Sequence, residues 1–278
     1  GWNVRLFDRS TDDLMRASDG VDVIVNGWNT PYTDWETLVP RLTEQVIRAA
    51  EAGGATVILP GNVYNFGVGA PGLLTETTPH AAINPLGRVR TEMEAAYRAS
   101  TVQTIVLRAG DFIDTEASGN WFDLVITAKV KRGTFTSPGE ADAAHAWAYL
   151  PDLAKATVLL AEMRERLSHH EDVPFPGYTM TLGELRRHCE AALGRDLTLR
   201  DFPWWMIRIG GTVVPPWQKL VEMRYLWSKP HRLDDTRFAE LLPGFRTTDP
   251  GEAIRIALGA EVDPHKAVPG RVEHVAAE

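Results

Sequence analysis

The stretch "ILPGNVYNFG", residues 58–67, decides the fold. Its first half is apolar, as in a strand buried on both faces, and its second half is a loop of Gly, Asn and a single tyrosine. A buried strand running out into such a loop is how α/β proteins place chemistry at the carboxyl edge of a sheet. Tyr64 is the one strong acid-base candidate within it.

Upstream, "VDVIV" (residues 21–25) is a second short apolar run, followed by Asn26 and Gly27. "TDWE" (33–36) reads as a capping box, Thr33 accepting from the backbone three residues on and Glu36 reaching back. Leu38, Leu42, Val46 and Ala49 then repeat at helical spacing down to the stop residues Gly53 and Gly54, predicting a helix over about 36–52. Strands follow near 56–59 and 102–107, separated by a helix near 88–99 marked by Leu86, Val89, Met93 and Tyr97. Strand, helix, strand, helix, strand requires parallel pairing, so the fold class is α/β, a Rossmann-like doubly wound parallel sheet with a smaller C-terminal substrate region. Further along, the pattern predicts a helix near 121–130, a short strand near 146–150 and a helix starting at Asp152. Residues 168–176, "SHHEDVPFP", read as a polar, Pro-punctuated loop, with short helices and turns beyond it.

Composition narrows the function classes. A chain of 278 residues with 44% apolar residues can bury a full core, and a formal net charge of −8 disfavours contact with phosphate backbones, excluding nucleic acid as the natural partner. The single Cys189 cannot form an internal disulfide, which points to a reducing cytoplasm. No apolar run reaches the ~20 residues that span a bilayer. The chain begins at Gly1 without a signal-peptide pattern, suggesting a processed or incomplete N-terminus.

Several segments resemble the extended short-chain dehydrogenases/reductases, the NAD(P)-dependent epimerase/dehydratase group. "GVDVIVNGWN" is similar to that family's fourth strand, "PGNVYNFG" to its Ser-containing VYG loop, "TETTP" to the acidic turn after it, "VLRAGDF" to its Arg-Pro strand end and "HAWAYLPDLAKA" to the segment before a late helix. The resemblance implies an NAD(P)-binding core of residues 1–115 and about 145–167, with about 116–144 and 168–278 on the substrate side. It implies NAD or NADP as cofactor and a small carbonyl or alcohol as substrate. "NVRLFDRSTDDL" resembles the family's third strand, which puts Asp8 beside the adenine; in the weaker register Asp8 is the ribose-binding acid of the second strand. In the preferred register the first two strands and the glycine-rich turn lie upstream of Gly1, and this chain is expected to bind NADH or NADPH far more weakly than one extended through that turn.

The same resemblance shows departures. Leu86 stands at the family's catalytic Tyr, Arg90 at its Lys and Pro60 at its Ser, and neither leucine nor proline has a side chain that exchanges a proton. The resemblance therefore leaves Tyr64 as the catalytic candidate, with packing against backbone as the plainer alternative. It implies Asn26, Gly27, Trp28, Arg90 and Ala109 around the cofactor, and Asn65, Asp111, His145 and Trp147 around the substrate. Turn chemistry alone also explains Asn26 and Gly27, and an ion pair between Arg108 and Asp111 is as good a reading as ligand contact. His145 stands where sugar-nucleotide epimerases carry an Arg; it is open to a pocket role or a structural one beside Trp147. "HHED" (169–172) is not expected to bind metal, since adjacent residues rarely converge on one ion. A non-catalytic NAD(P)-binding sensor or interaction module of the same fold is the rival to an enzyme. Residues 202–227 hold four of the nine tryptophans; a lid, a homodimer contact and a membrane-surface anchor all fit, burial in the substrate region being the plainer reading and membrane attachment the least favoured.

Overall fold

The structure, a computed structural model, describes residues 11–211 and 214–260. The Asp8 position lies outside the described residues. In chain order the elements are α1 (Thr11–Ala17), β1 (Val23–Val25), α2 (Trp35–Gly53), β2 (Thr56–Gly61), β3 (Leu73–Leu74), α3 (Pro85–Ala99), β4 (Thr104–Arg108) and β5 (Asp111–Ile113). They continue with β6 (Thr134–Ser137), β7 (Ala144–Tyr149), α4 (Leu150–Glu162), β8 (His170–Pro174), β9 (Tyr178–Thr181) and α5 (Leu182–Leu193). β10 (Thr198–Asp201), α6 (Trp204–Gly210), α7 (Pro215–Met223), β11 (Arg232–Leu233), α8 (Thr236–Leu241) and α9 (Pro250–Ala257) complete them.

The main sheet has the order β1-β2-β4-β8, every pair parallel. The central strands β2 and β4 carry apolar runs because both faces are covered. Val57, Leu59 and Val106 pack under Val46 and Ala50 of α2 and Met93 and Tyr97 of α3. Ile58, Ile105 and Leu107, the alternate residues, meet Leu153, Ala156 and Leu160 of α4 on the opposite face. The α/β class and the parallel pairing expected from sequence are what the chain adopts. A second sheet, β5-β7-β9, joins β5 to β7 in parallel and β7 to β9 antiparallel, and two-stranded pairs β6-β10 and β3-β11 flank it.

Four expectations need correction. Residues 168–176 are not a loop: β8 is the fourth strand of the main sheet, its acidic residues stabilised because Asp172 meets Arg108 and Glu171 meets Arg237. Thr33 and Glu36 do not form a capping box, because Thr33 lies in a 3-10 turn at Tyr32–Asp34 and bonds Asp34, while Glu36 bonds Lys219 of α7 at 2.5 Å. The helix expected near 121–130 is a single π turn, Phe122–Ile126, followed by a 3-10 turn. Beyond residue 176 the chain holds strands as well as helices and turns: β9, β10 and β11. In the tryptophan-rich segment Trp204 and Trp227 are core, whereas Trp205 is 67% exposed. No helix among the described residues is long and apolar enough to cross a membrane.

Candidate functional site

The carboxyl ends of β1, β2 and β4 converge on one edge. After β1 the chain turns at Asn26, whose carboxamide oxygen accepts from the Trp28 N–H at 3.3 Å and whose Nδ2 donates to Tyr97 Oη at 3.0 Å. Burial pushes the Tyr97 phenol up to about 12, so it acts there as a neutral partner. β2 ends at Gly61, where a Cβ would come within 2.7 Å of Val106; only glycine lets the loop leave this close to β4. Arg90, on α3, lays its guanidinium 5.7 Å from the Trp35 ring and donates to the Pro60 carbonyl at 2.7 Å.

Asn26, Trp28, Asn29, Thr30, Trp35 and Arg90 line a crevice of about 20 Å³ at this edge. Two polar atoms in its wall, Thr30 Oγ1 and Arg90 Nε, are buried without a hydrogen-bond partner. Such orphaned groups cost about 1–3 kcal/mol each, and a ligand with hydroxyls removes that cost.

Tyr64 sits in a 3-10 turn whose entry is fixed by its own N–H donating to Asn62 Oδ1 at 3.1 Å. Its hydroxyl is 2.8 Å from that of Tyr32, and its ring stacks on Trp35 at 6.1 Å. Burial, the Tyr32 hydroxyl and the negative charge of Asp111 push the Tyr64 phenol well above its ordinary value; Arg90 pulls the other way without offsetting them. A lysine cation beside it would lower it, so this environment works in the opposite sense. The Tyr64 proton is therefore held more firmly than that of a free phenol.

Asp111, at the start of β5, does not pair with Arg108. It meets His145 of β7, with Oδ2 and Nε2 2.6 Å apart. The His145 ring lies flat on Trp227, 4.4 Å away with 3° between planes, and His231 stands against it at 4.5 Å. His231 Nδ1 is 3.0 Å from the Lys229 carbonyl, which can only accept, so Nδ1 carries the hydrogen and the buried, unpartnered Nε2 is a bare lone pair. Burial, then the neighbouring His145, lowers His231 to about 4. Trp147 is core, its indole donating to the Met180 carbonyl at 3.1 Å.

Arg108 belongs to a separate, closed network. It donates to Glu94 at 2.7 and 3.2 Å, to Asp172 at 2.5 and 3.2 Å and to the Asn62 carbonyl at 2.6 Å. Asn65, one of the expected substrate residues, is fully buried here, its Nδ2 within 3.1 Å of Glu94 and 2.9 Å of His80. Burial alone would push Glu94 up, but the charge and hydrogen bonds of Arg108 hold it below the usual carboxylate range. His80, Glu94 and Asp172 have ligand atoms within 4.8 Å of one another, a metal-like spacing, yet Glu94 and Asp172 already share the Arg108 cation. Ala109, buried at the end of β4, donates to the Gly61 carbonyl at 3.0 Å and lies on this closed side. Glu94 and His231 carry no local signal in sequence, and Asp172 is weighed only as part of HHED, because their partners are distant in the chain.

No family model matches the sequence, and neither does any curated protein. Solved structures do match in fold. An L-threonine dehydrogenase from Phytophthora infestans superposes with a TM-score of 0.70 at 18% identity, covering 90% of this chain and 82% of the other. The holo form of an L-threonine dehydrogenase from Cupriavidus necator gives 0.70 at 15% identity, with 90% and 82% covered. A UDP-glucuronic acid 4-epimerase from Bacillus cereus, in complex with NAD, gives 0.66 at 14% identity, with 88% and 75% covered. The chain therefore has the Rossmann fold of these dehydrogenases and epimerases, the fold its loops resemble.

Proposed function

We propose that this chain is a nicotinamide-dependent oxidoreductase or epimerase-like protein acting on a small carbonyl or alcohol. The observation that carries the reading is the pair of unpartnered buried atoms, Thr30 Oγ1 and Arg90 Nε, in one crevice at the carboxyl edge of a parallel sheet. Open α/β sheets bind their ligands at that edge. The residues present fit the nicotinamide-ribose half of NAD or NADP: Arg90 supplies charged donors, Thr30 a hydroxyl, Asn26 and Asn29 carboxamides, and Gly27 and Trp28 the turn beside them. When bound, the cofactor would supply the hydride acceptor or donor. Tyr64, paired to Tyr32, would donate a hydrogen bond to the substrate oxygen, with Asp111 and His145 on the same side.

The crevice has room for about one water, so a ribose requires the Trp35 ring and the 26–35 loop to move. That closure favours a second reading, a non-catalytic NAD(P)-binding sensor of the same fold. Calorimetric titration with NADH and NADPH, then an assay with isopropanol, glycerol, lactate, threonine and UDP-glucose, separates the two. Binding with turnover supports the enzyme; binding without turnover supports the sensor; no binding of either cofactor overturns both.

A further inference from the structure

A carbonyl and an alcohol interconvert only if some group takes the hydroxyl proton and gives it back. Tyr64 is ill suited to take it, because burial and a nearby carboxylate hold its own proton in place. Asp111 is placed to do so. Its side chain is 21% exposed while that of His145 behind it is 3% exposed, so the pair presents a carboxylate outward and an imidazole inward. His145 Nε2 engages Oδ2 alone, which leaves Oδ1 for a substrate. The imidazole cannot swing away, being stacked on Trp227 and flanked by His231 and Trp147.

We propose that Asp111 accepts and returns the substrate's hydroxyl proton, with His145 as its positioning residue, the two taking the task of a Tyr-x-x-x-Lys pair, whose positions hold Leu86 and Arg90. This rests on the nicotinamide reading above. In the oxidative direction the substrate O–H bond would break with its proton passing to Asp111, and a bound oxidised nicotinamide would supply the acceptor for the C–H electron pair as the C–O bond becomes a carbonyl. In reverse the protonated Asp111 returns the proton to the alkoxide oxygen. The Tyr32 and Tyr64 hydroxyls hold that oxygen by a hydrogen bond throughout. The titratable groups that face the pair are Tyr32 and Tyr64 on the side of Asp111 and His231 against His145, with Arg90 acting on the two tyrosines and Lys229 on His231.

The test compares wild type with Asp111→Asn, Asp111→Glu and His145→Gln by cofactor titration, turnover of the alcohol panel across pH, and imidazole NMR of the cofactor-free protein. Asp111→Asn should lower kcat about 100-fold or more, abolish the acid limb of the pH profile and leave NADH affinity unchanged. Asp111→Glu should restore part of kcat together with that limb. His145→Gln should lower kcat with KM unchanged, and the His145 imidazole resonances should move in Asp111→Asn, which alters the carboxylate they pair with. Unchanged kcat in Asp111→Asn, or NADH binding by wild type with no turnover of any alcohol, overturns the proposal while leaving the cofactor reading intact. Failure to bind NADH or NADPH overturns that reading and this proposal with it.

Discussion

Two arginines, eighteen residues apart, end up in opposite circumstances. Arg108 is completely buried, yet it donates to two carboxylates and a carbonyl and leaves nothing unpaired. Arg90 donates to one carbonyl, leans on Trp35 and leaves its Nε without a partner. The difference teaches how to separate architecture from function in this fold. Charge that is fully answered by the chain holds β4, β8, α3 and the Tyr64 loop together. Charge left partly unanswered at the sheet edge is what a ligand can use.

The largest expected effect comes from breaking the answered side. Arg108→Met strands Glu94 and Asp172 in the interior and should destabilise the protein by about 3–5 kcal/mol in urea unfolding. Arg90→Met should cost only about 1 kcal/mol of stability. Equal costs for the two would erase the distinction.

Next comes acid sensitivity. His231 is lowered by burial from 6.5 to about 4. Between those values the unfolded chain binds a proton that the folded chain does not, so this contribution is whole above about 6.5 and falls as pH drops toward 4. By pH 5 the loss from this residue should approach about 2 kcal/mol. Urea midpoints at neutral and acid pH should therefore shift less in His231→Phe than in wild type.

The unanswered side should show itself in affinity. Arg90→Met should weaken NADH binding roughly 10-fold or more, the loss of one charge-assisted hydrogen bond. Smallest is Glu222→Gln. The Glu222 carboxylate of α7 accepts from the Leu86 N–H at 2.6 Å and from Asn84 at 2.8 Å, capping α3 from outside and steadying the helix that carries both Arg90 and Glu94. Its loss should cost about 1 kcal/mol in the same unfolding assay.

The sheet was legible in sequence because burial on both faces writes itself as unbroken apolar runs, as in Val57 to Leu59 and Ile105 to Leu107. β8 was not, because its polarity is answered by arginines elsewhere in the chain. Thr33 and Glu36 show how a local pattern misleads: the same Thr-x-x-Glu spacing at Thr181 and Glu184 does form a capping box at the start of α5, where Glu184 reaches back to Thr181, whereas Glu36 bonds Lys219. Tyr64, Arg90, Asp111 and His145 were all legible as candidates from the family segments that their stretches of sequence resemble. Their pairings were not, since Asp111 and His145 are 34 residues apart and Tyr32 and Tyr64 are 32 apart, and no local spacing encodes either contact.

Whether the sheet-edge crevice takes nicotinamide can be read from indole NMR. Trp28 and Trp35 line the crevice, while Trp205 lies exposed on α6 in the C-terminal region. Titrating NADH into the nitrogen-15-labelled protein should move the Trp28 and Trp35 indole signals along one saturable curve and leave Trp205 in place, with the curve shifted to higher NADH in Arg90→Met. Saturable shifts elsewhere with Trp28 and Trp35 unmoved, or no shift at all, would contradict the account.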